Sequence, residues 1–247
     1  MKKIAVDLHV HSLLSPCAGN EMTPPRVLER AVEKGLGLIA ITDHNSALNV
    51  PAFCQAAGDL PLEVVPGMEV QTREDVHLIC LFDTVEKLFC LQEIVNKTLP
   101  GVKNRAEYFG EQLIVDEKGK VTGVEKRLLL NSLNLSIDET VVEVVRLGGI
   151  CIAAHVDRQA FGLLGVLGFI PPELPLAALE LSRREAVAGL YRTYGDLKGY
   201  PLIFASDAHY LADVGRNTTL MPQEVSNAES LVGYFKGGCE GKGKSID

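Results

Sequence analysis

Strand-like apolar runs in this chain repeatedly break off at a histidine, and five of its six histidines have an aspartate within two residues. His9 and His11 close the first run, Asp43-His44 ends the second, His155 ends another, and Asp207-Ala208-His209 follows a fourth. His77 stands instead near the start of its run. Strands are expected at 4–9, 38–42, 62–65, 76–82, 149–154, 177–181, 202–205 and 218–220, with helix-like stretches between them. That alternation marks an α/β chain with a mostly parallel sheet. In a barrel of parallel strands the C-terminal strand ends open on one face, where such folds hold their active sites. Histidines far apart in sequence are therefore expected to converge on one mouth.

The 247 residues suit one large barrel, and 47 % apolar with 23 % charged residues excludes the disordered and fibrous classes. A formal net charge of −8 opposes binding by neutralising many phosphates along a strand, so no stable nucleic-acid complex is expected. No apolar run approaches the roughly 18 to 20 residues that span a bilayer. Asp7 and His9 interrupt the opening run before a signal-peptide core can form, so the expected location is cytoplasmic, with no membrane partner. The six cysteines form no CxxC pair, which fits reduced thiols.

Thr23-Pro24-Pro25 is a helix start with Thr23 as N-cap, and Gly35 is positioned to end that helix. Residues 83–148 are expected to form an insertion between strands. Within it lie a helix at 84–99, a hairpin at 112–124 turning at Asp116-Glu117-Lys118-Gly119, and a second helix opened by the capping box Ser136-x-x-Glu139. One domain over 1–236 is expected, followed by a glycine- and charge-rich tail at 237–247 that frays.

In a strand, residues i and i+2 point to the same face and rise about 6 to 7 Å. His9 and His11 can therefore converge on one cation, at metal–nitrogen distances near ~2.1 Å. Asp207 and His209 repeat that spacing with one oxygen and one nitrogen donor, a mixture suited to zinc, manganese or iron. His9, His11, His44, Glu69, His77, His155, Asp207 and His209 exceed what one ion needs. Two or three divalent ions sharing a carboxylate account for the surplus.

The ordered series Asp7-Leu8-His9-Val10-His11-Ser12, Thr42-Asp43-His44, Pro66-Gly67-Met68-Glu69, His77, Ala154-His155 and Ser206-Asp207-Ala208-His209 resembles the PHP (polymerase and histidinol phosphatase) superfamily from about residue 4 to residue 216. The resemblance implies a distorted (β/α)7 TIM-like barrel with a small hairpin/helix insertion. It implies a first ion on His9, His11, Glu69 and Asp207, a second on Glu69, His77 and His155, and a third on His44 and His209. Many family members place an aspartate or histidine where this chain has Pro16 and Cys17. Cys17 is the candidate thiolate ligand there. Asp7 and Asp43 lie beside ligands, where they can orient imidazoles.

A phosphate also needs donors from the chain. Arg158, three residues after His155, and Arg183, after the run at 177–181, are the candidates for the mouth. The expected activity is metal-dependent hydrolysis of a small phosphomonoester, such as a nucleotide, sugar or amino-alcohol phosphate, by water activated on the metals. A third ion, or protonated His209 or Asp43, would help the leaving oxygen depart. The alternatives are an exonuclease-type phosphodiesterase acting on nucleic acid ends and a non-catalytic metal-binding regulatory module.

Overall fold

The computed structural model describes residues 2–239. In chain order the elements are β1 (Lys3–Val10), α1 (Pro24–Glu33), β2 (Leu36–Ile41), α2 (Val50–Ala57), β3 (Glu63–Gln71), β4 (His77–Leu81), α3 (Val85–Thr98), α4 (Ala106–Phe109), β5 (Leu113–Val115), β6 (Val121–Val124), α5 (Ile137–Arg146), β7 (Ile150–Ala153), α6 (Leu163–Leu167), β8 (Leu176–Leu181), α7 (Ala186–Thr193), β9 (Leu202–Phe204), β10 (Thr219–Pro222) and α8 (Ala228–Cys239).

Local chemistry sets the helix ends. Extended Thr23 precedes α1 but makes no side-chain cap bond; Pro24 and Pro25 start the helix, where no N–H donor is needed. Gly35, at φ +69°, turns the chain out of it. The Thr84 hydroxyl accepts from the Lys87 N–H at the start of α3, and both halves of the Ser136/Glu139 capping box open α5.

One sheet runs in the order β10-β1-β2-β3-β4-β7-β8-β9, and a parallel bridge from Val10 to Ala208 brings the end of β9 back to β1. Seven strands thus surround the barrel, with β10 added antiparallel at the edge of β1. The parallel expectation needs one correction: β4 runs antiparallel to both β3 and β7. Pairing with β4 from Gly67–Leu81 to Gln71–His77 extends β3 through Glu69, past the expected end at residue 65. It also carries His77, at the start of its strand, to the same rim as the ends of the others.

Two apolar layers hold the barrel. Val6, Leu8, Leu38, Val65, Ile79, Ile152 and Ile203 fill its interior, joined by Leu231, Val232 and Phe235 of α8, which closes the end away from the histidines. A larger cluster packs α1, α2, α3 and α5 onto the outside of the sheet. The insertion between β4 and β7 contains the expected helices and the β5–β6 hairpin, whose turn is held by Asp116 Oδ1 accepting from the Lys118 and Lys120 N–H groups. A Cβ on Gly110 would sit 2.1 Å from the Pro16 carbonyl oxygen, so glycine lets the insertion press against the loop that carries Cys17. Of the expected tail, residues up to Cys239 belong to α8, and 240–247 lie outside the described residues. No helix among the described residues is long and apolar enough to cross a membrane.

Candidate metal centre

β1 loses register against β2 between Asp7 and Val10. Val6 and Leu8 pack inside the barrel, whereas Val10 joins the outer cluster. A strand irregularity of this kind puts successive side chains on one side. His9 and His11 are thereby turned together into the mouth, with their Nε2 atoms 3.2 Å apart.

Glu69, on β3, is the hub. Its carboxylate oxygens lie 2.9 Å from His77 Nδ1, 3.0 Å from His44 Nδ1, 3.3 Å from His9 Nε2 and His155 Nε2, and 3.4 Å from His11 Nε2. Asp207 Oδ1 approaches the Nε2 atoms of His9 (3.3 Å) and His11 (3.2 Å), while Oδ2 pairs with Arg158 at 2.7 Å. Burial would raise both carboxyl groups, but the surrounding imidazoles outweigh it and hold both well below the usual carboxylate range. Burial likewise opposes charge on His9, yet Glu180, Glu69 and Asp207 push it well above the ordinary histidine value. His44 rises to about 10 against its own burial, through Glu69 and Cys17. Burial, with His209 nearby, drives His11 well below it.

The donor set fits divalent cations. His9, His11 and Glu69 form one compact group, His44, Glu69 and His77 a second, and His11, His44 and His209 a third, each with its ligand atoms within 4.8 Å of one another. Glu69 Oε1, His44 Nδ1 and His77 Nδ1 are buried without a hydrogen bond, and both nitrogens face the Glu69 carboxylate. Buried polar atoms rarely go unpaired, so these three, turned toward one another, suit cation coordination. Cys17 adjoins the third group: burial would raise its thiol, but hydrogen bonds to His209 and His44 bring it down to about 7.

Outer partners fix the ring orientations. Nδ1 of His9 lies 2.9 Å from Oε2 of Glu180, at the end of β8, which leaves Nε2 facing Glu69 and Asp207. Sequence reasoning missed Glu180; its signal was a lone carboxylate inside the apolar run Leu176–Leu181, where it is fully buried. His11 Nδ1 meets the Ser15 hydroxyl at 2.9 Å, and Ser15 donates to Asp43 at 2.7 Å. Asp43 also accepts from the Ser12 N–H and hydroxyl. This corrects the leaving-group role expected for Asp43: its carboxylate is enclosed and acts on His11 through Ser15. Asp7 does not meet an imidazole; it accepts from the Ser206 and Gly215 N–H groups and so fixes the loop that carries Asp207 and His209.

A cavity of about 330 Å³ opens onto the cluster, lined by His44, Glu69, His77, His155, Arg158, Ala160, Phe161, Asp207 and His209. Arg158 is part of that lining. Arg183 is not: it is exposed and absent from the lining, and the next residue, Arg184, donates to the Thr218 carbonyl.

Buried histidines and carboxylates interlocked at the mouth of a distorted TIM-like barrel define the class of metal-dependent hydrolases. Residues 7–165 match the PHP domain and residues 192–238 the PHP-associated family. The chain belongs to the PHP domain family. It is 30 % identical over 126 residues to the 5'-3' exoribonuclease Rnm of Escherichia coli (strain K12), a match covering 49 % of this chain and 40 % of that protein. The fold resembles the lesion-specific endonuclease PfuEndoQ from Pyrococcus furiosus, with a TM-score of 0.72 at 20 % identity over 99 % of this chain and 58 % of that one. It also resembles an amidohydrolase from Chromobacterium violaceum with bound sulfate and no metal, with a TM-score of 0.61 at 20 % identity over 93 % and 96 % of the two chains. With an exoribonuclease among its relatives, the net charge of the whole chain does not exclude nucleic acid. Charge summed over a surface says little about the cationic groups at one mouth.

Proposed function

We propose that this chain hydrolyses phosphoesters whose scissile phosphate enters between the Glu69 cluster and Arg158. The observation that carries the reading is Glu69, a buried carboxylate with imidazole nitrogens of five histidines within 3.4 Å. His9, His11, Glu69 and Asp207 would hold one divalent ion, Glu69, His77 and His155 a second, and His44, His209 and Cys17 a third; zinc, manganese and iron suit these donors. Bound ions neutralise phosphoryl charge and lower the pKa of bound water. Arg158 offers guanidinium donors to a phosphate oxygen. With Asp43 enclosed, His209 on the cavity wall would serve the leaving oxygen in one of two ways, by holding the third ion or, where that ion is absent, by donating a proton.

The size of the cavity favours a small phosphomonoester, and the likeness to an exoribonuclease favours the end of a nucleic acid strand. The test is phosphate release by manganese-loaded protein from nucleotides, sugar phosphates and histidinol phosphate, run beside nucleotide release from 5′-phosphorylated RNA and DNA. Turnover that disappears in His9→Ala supports the reading, and the preferred substrate decides between its two forms. No turnover on either panel returns the chain to a non-catalytic metal-binding module.

A further inference from the structure

We infer that Phe161 is a stacking surface for a nucleobase next to the scissile phosphate, an inference that rests on the phosphoester reading. Phe161 is 41 % exposed and lines the cavity of the metal cluster. Its backbone lies at φ +62°, a conformation that bulky L residues rarely adopt without a functional constraint.

The loop is built to hold it there. The Phe161 carbonyl accepts the His77 N–H at 2.9 Å, tying the loop to the start of β4. A Cβ on Gly162 would sit 2.4 Å from the Arg158 carbonyl oxygen and 2.8 Å from that of His155. A Cβ on Gly165 would sit 2.4 Å from the Gln159 carbonyl oxygen. Only glycine lets the segment from His155 to Gly165 wind this tightly, so the position of Phe161 is determined by the backbone.

The ring lies nearly parallel to that of His77, at 15° with centroids 4.6 Å apart. His77 covers one face of the ring, yet the residue remains 41 % exposed and is part of the cavity lining. Arg158, three residues earlier on the same loop, supplies a cationic group to the same lining. A guanidinium and an open aromatic face held on one rigid loop match a phosphate joined through a sugar to a base. Every nucleobase offers a π face, so such a platform recognises nucleotides without reading sequence. The base can come from a free nucleotide or from the end of a strand.

The test is calorimetry with manganese-loaded protein, following hydrolysis in parallel. One ligand pair is 5′-AMP and ribose 5-phosphate; the other is a short 5′-phosphorylated oligonucleotide with its terminal base present or absent. Wild type should favour the base-bearing member by about 5- to 150-fold. Phe161→Leu should bring the ratio close to one, and Phe161→Trp should retain it. Preference in both pairs assigns a free nucleotide as sufficient, and preference in the strand pair alone assigns a strand end. Equal affinities in wild type, a preference that survives Phe161→Leu, or a loss shared equally by both members of a pair would overturn the inference. Hydrolysis without base preference removes the platform and leaves the hydrolase reading; base preference without hydrolysis removes the hydrolase reading and, with it, the scissile phosphate from the inference, leaving only a base-binding surface.

Discussion

His9 Nδ1 and Glu180 Oε2 lie 2.9 Å apart, joining β1 to β8 through two fully buried side chains. The pairing fixes which nitrogen His9 turns toward Glu69 and Asp207, and it places a negative charge behind the imidazole. Glu180→Ala is expected to weaken metal binding about 10- to 100-fold, measured by competition with a chelating dye, with Glu180→Gln falling between it and wild type. Affinity equal to wild type in both variants would contradict this role.

Cys17 and Cys54 should differ sharply in reactivity. The Cys17 thiol sits at about 7, whereas burial and Glu63 push Cys54 up to about 11. The thiolate is the reacting form. In metal-free protein near neutral pH, iodoacetamide should therefore modify Cys17 well ahead of Cys54, as read by mass spectrometry. If Cys17 helps hold the third ion, metal loading protects it; labelling at the same rate with and without metal would remove it from the ligand set.

Burial raises Asp7 to about 6, further than its hydrogen bonds from Ser206 and Gly215 and the charge of His9 pull it down. A carboxyl raised on folding stabilises the native state fully below its unfolded pKa near 3.8, and that contribution is lost as pH rises through about 6. Asp7→Asn does not titrate. The stability of metal-free wild type relative to Asp7→Asn should thus fall by about 1 kcal/mol between pH 5 and pH 7 in urea denaturation. A difference that grows with pH would reverse the assigned sign.

Phe235 on α8 is buried in the interior layer, away from the histidines. Phe235→Ala should cost about 3 to 5 kcal/mol of unfolding free energy through the cavity it leaves. Dye competition on the folded fraction should show unchanged metal affinity. Weakened metal binding would mean that α8 shapes the centre as well as closing the barrel.

The sequence exposed most of the cluster because polar side chains at strand ends interrupt apolar runs, and His9, His11, His44, His155 and Asp207 all do so. It did not disclose the direction of β4, since an apolar run has the same period whichever way it lies beside its neighbour. For the same reason Glu69 appeared to follow a strand when it lies within one. Glu180 escaped notice because one carboxylate in an apolar run carries no spacing signal. Arg183 and Phe161 depended on the path of loops after β8 and β7, which composition does not encode; the Phe161 position is set by its positive φ and by Gly162.

The most direct test of the centre is to compare wild type with Glu69→Ala after loading with manganese, measuring bound metal and phosphoester hydrolysis on the same samples. Glu69 touches every group of ligands through its two oxygens. The variant should remain folded by circular dichroism, bind less metal than wild type and lose turnover. A folded Glu69→Ala protein with wild-type metal content and full turnover would contradict the account.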